Sequence, residues 1–172
     1  MEQVILVDGQ DKETGVMEKL QAHIEGRLHR ALSVFIFNSK GESLLQQRAA
    51  GKYHSAGLWT NTCCSHPWPG ELIRDAAIRR LYEEMGLKCE LRKAFSFIYK
   101  ASLDHNLTEY EFDHVFIGIT DDIPVPDNNE AAGWKYIGWD ALLKDADEHP
   151  ERYTEWFKIC LKDWRQELLN TA

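Results

Sequence analysis

Short apolar runs and a single four-residue periodicity carry most of the structural signal in this chain. Residues 4–7 form an apolar strand segment, followed by a turn through Asp8-Gly9 and from Asp11 to Gly15. Residues 34–37, a turn at 38–41 and residues 43–48 read as a β-hairpin. From 72 to 85 the spacing changes. Ile73, Ala77, Leu81 and Met85 recur every four residues, which predicts a helix with one buried stripe, and Gly86 suits its C-terminal cap. Residues 114–120 and 134–139 are further strands. Asp140 is placed to cap a short helix from Ala141. Pro150 precedes one long final helix, whose stripe is Tyr153, Trp156 or Phe157, Cys160, Trp164 and Leu168. Strands, a helix, strands and then helices predict an α/β (α+β) arrangement, a mixed sheet sandwiched between helices.

With 172 residues, 44% of them hydrophobic, residues 1–172 are expected to form one domain with a sizeable core. No apolar run reaches the ~18 residues of a membrane span, and no basic-then-apolar leader opens the chain, so membrane insertion and secretion are not expected. The expected location is cytoplasmic. The net charge of −8 argues against general nucleic-acid binding, yet it leaves room for an anionic small molecule held by local Lys, Arg and a divalent cation. Of the four cysteines, Cys63 and Cys64 are adjacent. That geometry closes a disulfide poorly, which favours metal or catalytic chemistry in a reducing compartment.

The chemistry concentrates in Trp59-Thr-Asn-Thr-Cys-Cys-Ser-His-Pro67. In extended backbone, residues i and i+2 share a face, so Cys64 and His66 point together and Cys63 points away. Glu109 and Glu111 have the same spacing. One segment thus offers sulfur and nitrogen, and the other offers two carboxylates.

Glu71, Arg79, Glu83, Glu84 and Gly86 have the spacing of the Nudix motif, G-x5-E-x7-R-E-U-x-E-E-x-G-U. Two positions depart from it: Ser65 replaces the first Gly, and Arg80 replaces the Glu after Arg79. An Arg cannot ligate a cation but binds phosphate well. The plain alternative is a solvated amphipathic helix with Glu–Arg pairs. Glu84 is an exception, because at ~100° per residue it falls beside the apolar stripe and needs a cation or a donor there.

Taken together, His23-x5-His29, the Trp59–Pro67 motif, the degenerate Nudix helix, Tyr99, Glu109-Tyr-Glu111 and Trp156 resemble type 1 isopentenyl-diphosphate isomerases of the Nudix superfamily, over nearly the whole chain. The resemblance implies a Nudix-like fold. It also implies interconversion of isopentenyl and dimethylallyl diphosphate through a tertiary carbocation, with Cys64 and Glu111 on opposite faces of the alkene and Tyr99 assisting. His23, His29, His66, Glu109 and Glu111 match the family's metal ligands, for Mn²⁺, Zn²⁺ or Mg²⁺. Glu84 matches a position near a second Mg²⁺ that arrives with the diphosphate. Lys19, Arg48, Lys52 and Arg80 match the basic diphosphate contacts, and Trp156 matches the aromatic that closes over the hydrocarbon. A thiol beside a cation is expected to titrate closer to neutral. No flavin or dinucleotide fingerprint is present. The expected partner is a prenyl diphosphate, on a monomer or weak homodimer.

Each residue also has a plainer reading. A free Cys is commonly a small buried hydrophobe, and Trp156 lies where a helix would carry a core Trp. Lys19 and Lys52 are ordinary surface charges in isolation. His54, His105, His114 and His149 are assigned no site role. Two other functions compete: a Nudix hydrolase of nucleoside or prenyl diphosphates, and a catalytically silent Nudix-fold binding protein.

Overall fold

The computed structural model describes residues 2–171. Nine strands form one mixed sheet: β1 (Gln3–Val7), β2 (Glu13–Glu18), β3 (His29–Phe37), β4 (Ser43–Arg48), β5 (Trp59–Thr60), β6 (Cys63–Ser65), β7 (Arg92–Ser102), β8 (Thr108–Ile119) and β9 (Ala131–Ile137). Five α-helices accompany them: α1 (Lys19–Glu25), α2 (Ile73–Met85), α3 (Trp139–Glu148), α4 (Glu155–Asp163) and α5 (Arg165–Thr171).

β3 is the organising strand. It pairs in parallel with β8 from His29↔Glu111 to Phe37↔Ile119. It pairs antiparallel with β1, β6 and β4 at successive points along its length. β7 extends the sheet beyond β8, and β9 extends it beyond β4.

Residues directly paired across strands project to the same face, so this register sorts the side chains into two layers. On one face Leu32, Val34, Cys63 and Phe116 pack against Ala76, Ala77, Leu81 and Met85 of α2. On the other, Phe35, Phe37, Val115 and Ile117 pack against Trp156, Phe157, Cys160 and Leu161 of α4 and Leu168 of α5. The sheet is sandwiched between helices, as the element order predicts.

Several expectations need correction. The final helix is interrupted: a 3-10 turn at Pro150–Arg152 precedes α4, and the chain breaks at Trp164 (φ −125°) before α5. Trp164 stacks on Phe95 at 5.1 Å and contacts Phe97 at 5.2 Å, and this docking redirects the helix. Trp139 opens α3 instead of closing a strand. Gly138, not Asp140, is the N-cap, and Asp140 lies in the first turn. Gly15 belongs to β2, opposite Leu6, not to the preceding turn.

Candidate active site

Register explains how residues far apart in sequence meet. His29 pairs with Glu111, Glu111 with Tyr99, and Ser33 with Cys64. All therefore share one face of the sheet, together with Glu109, two residues before Glu111, and His66, two after Cys64. His23 arrives from outside the sheet. Helix α1 ends at Gly26, whose φ of 60° is the left-handed conformation that glycine adopts freely. The chain then turns into β3 at His29, and the His23 and His29 rings come within 5.1 Å.

His23, His29, His66 and Glu111 are all buried, and one ligand atom from each lies within 4.8 Å of the others. Glu111 Oε1 faces Nε2 of His66 at 3.1 Å and Nε2 of His29 at 3.4 Å. Ligands ~2.1 Å from one cation stand ~3.0–3.4 Å apart in octahedral or tetrahedral arrangements. Nδ1 of His29 donates to the Arg27 carbonyl at 2.8 Å, which turns the Nε2 lone pair toward the group. His23 Nε2 is buried with no hydrogen-bond partner, a rare condition that a cation would relieve. Burial lowers the His23 pKa to about 3 and lowers that of His66 as well. Both rings are therefore neutral, the form that ligates. A divalent cation fits these donors.

Glu109 stands beside this group, outside the four close ligand atoms. The Tyr99 hydroxyl lies 2.7 Å from Glu111 Oε2 and 3.1 Å from Glu109 Oε2, bridging the two carboxyls. Burial, then the neighbouring charge of Glu111, pushes Glu109 well above the usual carboxylate range. Burial also opposes ionisation of Glu111, but the His29 and His66 imidazoles that face its carboxylate outweigh it and hold that group well below. The two carboxyls thus differ in protonation, as close like charges require.

Cys64 lines the same pocket. Its thiol donates to Asn61 Oδ1 at 2.9 Å and lies 3.5 Å from Ser33 Oγ, and Trp156 Nε1–H donates to Sγ at 3.0 Å. All three partners are uncharged. Burial, then the charge of Asp113, pushes the thiol pKa up, which reverses the expected shift toward neutral. Trp156 is buried in the core with Phe157 and Cys160 and also borders the pocket.

Lys19, Arg48, Lys52 and Arg80 line this pocket too, with Glu84. Glu84 finds the donors its position demanded, Arg80 at 2.7 Å and Gln46 Nε2 at 2.8 Å. Arg80 also reaches Glu130 at 3.1 Å, and Lys52 pairs with the same carboxylate. Lys19 pairs with Glu2 at 3.1 Å. The motif's Arg79 grips Glu71 through two 2.7 Å hydrogen bonds, so that part of the Nudix pattern braces the entry to α2.

The structure adds residues that pattern reading passed over. Asn61 donates to the Val34 and Cys63 carbonyls at 3.1 and 3.0 Å, fastening β6 to β3. Gln46 carries a detectable signal, a polar group at a buried strand position. Tyr53 and His54 line the pocket from the β4–β5 loop, and that loop has no periodicity to mark them. His54, assigned no role above, presents Nε2 3.8 Å from Glu109.

The NUDIX domain pattern matches residues 27–157. The chain is 52% identical to an isopentenyl-diphosphate Delta-isomerase of Pectobacterium atrosepticum, over 91% of this chain and 88% of that protein. It is 54% identical to isopentenyl-diphosphate Delta-isomerase 1 of Aromatoleum aromaticum, over 93% and 90%. Among solved structures, a Deinococcus radiodurans protein superposes with a TM-score of 0.78 at 19% identity, covering 94% of this chain and 98% of that one. The MutT protein from Methanosarcina mazei Go1 gives 0.67 at 18%, covering 82% and 95%. The chain belongs to the Nudix family and, within it, to the family of isopentenyl-diphosphate Delta-isomerases.

Proposed function

We propose that this protein, as one domain, interconverts isopentenyl and dimethylallyl diphosphate. One observation carries the reading: Cys64, Tyr99 and Glu111 border the same pocket as the cations Lys19, Arg48, Lys52 and Arg80. The relatives' names point to isomerisation of isopentenyl diphosphate.

Protonating the terminal alkene carbon gives a tertiary cation, and removing a proton from the adjacent methylene gives the isomeric alkene. Cys64 and Glu111 exchange these protons from opposite faces, in an order set by the direction of reaction. The Tyr99 hydroxyl, 2.7 Å from Glu111 and 3.1 Å from Glu109, relays a proton between the two carboxyls, giving its own hydrogen to one as it accepts from the other. The Trp156 ring faces the cation and excludes water that would trap it, a contact worth ~1–2 kcal/mol when desolvated. Its N–H holds Sγ of Cys64 in place.

His23, His29, His66 and Glu111, with Glu109 beside them, would hold a divalent cation. Bound there, a cation would polarise the Glu111 carboxyl. Arg48, Lys19, Lys52 and Arg80 bind the diphosphate, and Glu84 stands by the Mg²⁺ that accompanies it. The hydrolase reading is disfavoured at Arg80: where the Nudix pattern places a carboxylate, this chain places a guanidinium paired with Glu84 and Glu130.

The test is incubation of pure protein with isopentenyl diphosphate and Mg²⁺, with detection of dimethylallyl diphosphate. Release of phosphate from nucleoside diphosphates without isomerisation would replace this reading with hydrolysis.

A further inference from the structure

The loop between β4 and β5 lines the pocket with Lys52, Tyr53 and His54. Arg48, at its start, donates to the His54 carbonyl at 3.0 Å, and Lys52 pairs with Glu130. Between them, the Tyr53 hydroxyl lies 2.7 Å from Nδ1 of His23. The Tyr53 ring stacks on that imidazole, with centroids 6.1 Å apart and planes 29° from parallel.

A neutral imidazole has one N–H and one lone pair. With the hydrogen on Nδ1, Tyr53 accepts it, and the Nε2 lone pair points at His29, His66 and Glu111. With the hydrogen on Nε2, a buried N–H has no partner and the ring cannot ligate. His29 is held in the ligating sense by the backbone carbonyl of Arg27. His23 depends on a side chain for the same service.

We infer that Tyr53 is a positioning residue of the cation centre. It accepts the Nδ1–H of His23, orients Nε2 inward, and ties the centre to the loop that carries Lys52. This rests on the reading of His23, His29, His66 and Glu111 as metal ligands. Outer hydrogen-bond partners of ligating histidines are worth about 10- to 100-fold in metal affinity.

The experiment is a Zn²⁺ titration of the full chain against a competing chelator, for wild type and Tyr53→Phe. Tyr53 is 40% exposed and Phe keeps the stacked ring, so circular dichroism and the melting temperature are expected to match wild type. The variant is expected to bind Zn²⁺ at least about tenfold more weakly. Imidazole ¹⁵N NMR of the metal-free wild type is expected to show His23 protonated on Nδ1, a readout that needs no variant. Equal Zn²⁺ affinities, or an Nε2–H tautomer in wild type, would overturn the inference and leave the metal centre standing. A wild type that binds no Zn²⁺ would overturn both.

Discussion

Cys64 receives an N–H from Trp156 and gives its own hydrogen to Asn61, so its position is set from two sides by uncharged groups. Cys64→Ala is expected to abolish isomerisation while circular dichroism and the melting temperature stay near wild type; undiminished turnover would sink the proposed proton exchange. Trp156→Phe keeps the aromatic face and removes one hydrogen bond of ~1.4 kcal/mol, so kcat should fall about tenfold with little change in KM. Steady-state kinetics separate the two constants. At this scale the chemistry of the motif was readable, since i and i+2 share a face in any strand. Whether Trp156 belongs to the core or to the site was not, because a helix stripe looks the same in either case.

Helix α2 shows how far an element can be read. Its stripe of Ala77, Leu81 and Met85 is buried, and its end at Gly86 has a φ of 67°, both implied by periodicity and by glycine's freedom in that region. A Cβ at Gly86 would come within 2.7 Å of the Val125 carbonyl oxygen. Gly86→Ala is therefore expected to cost about 2 kcal/mol or more, combining left-handed strain with that contact, measured by urea unfolding. Strand β7 has period-two burial at Phe97, Tyr99 and Ala101 and was legible in principle. Strand β2 was not, since none of its residues is buried at the sheet edge and apolar alternation is lacking. Helix α1 spans seven residues, too few for a periodicity to declare itself.

For the whole molecule, buried neutral histidines set the response to acid in the metal-free state. Burial, the largest cause for each, lowers His23 and His54 to about 3 and His114 to about 4, from 6.5. Between pH 6.5 and about 4 the unfolded chain binds protons that the fold refuses, so stability falls as pH drops through this window. Asp113 acts in the opposite sense. Burial raises it to about 8, so the stability it contributes is lost as pH rises from about 4 to 8. His66 is lowered as well and Glu109 is raised. The four histidines outweigh the two carboxyls at the acid end, and the melting temperature in chelator is expected to be lower at pH 5 than at pH 6.5; the reverse order would contradict this balance. A divalent ion at 100 times its Kd should add ~2.7 kcal/mol, because it binds the fold alone. Calorimetry with and without Mn²⁺ measures that increment.

The sequence by itself determined the helix with the Nudix spacing, the β3–β4 hairpin, the pairing of Cys64 with His66 on one face, and the loss of a carboxylate at Arg80. These are local properties, governed by periods of 3.6 and 2 and by the chemistry of single side chains. Only the tertiary structure decided that β3 lies between β6 and β8, with Ser33 opposite Cys64 and His29 opposite Glu111. That register gathers the cysteine, histidines and carboxylates on one face of the sheet. It depends on long-range strand pairing and on burial of two apolar layers at once, which no short window of residues contains. The role of Tyr53 was hidden for the same reason: it depends on a 2.7 Å contact across 30 residues of chain.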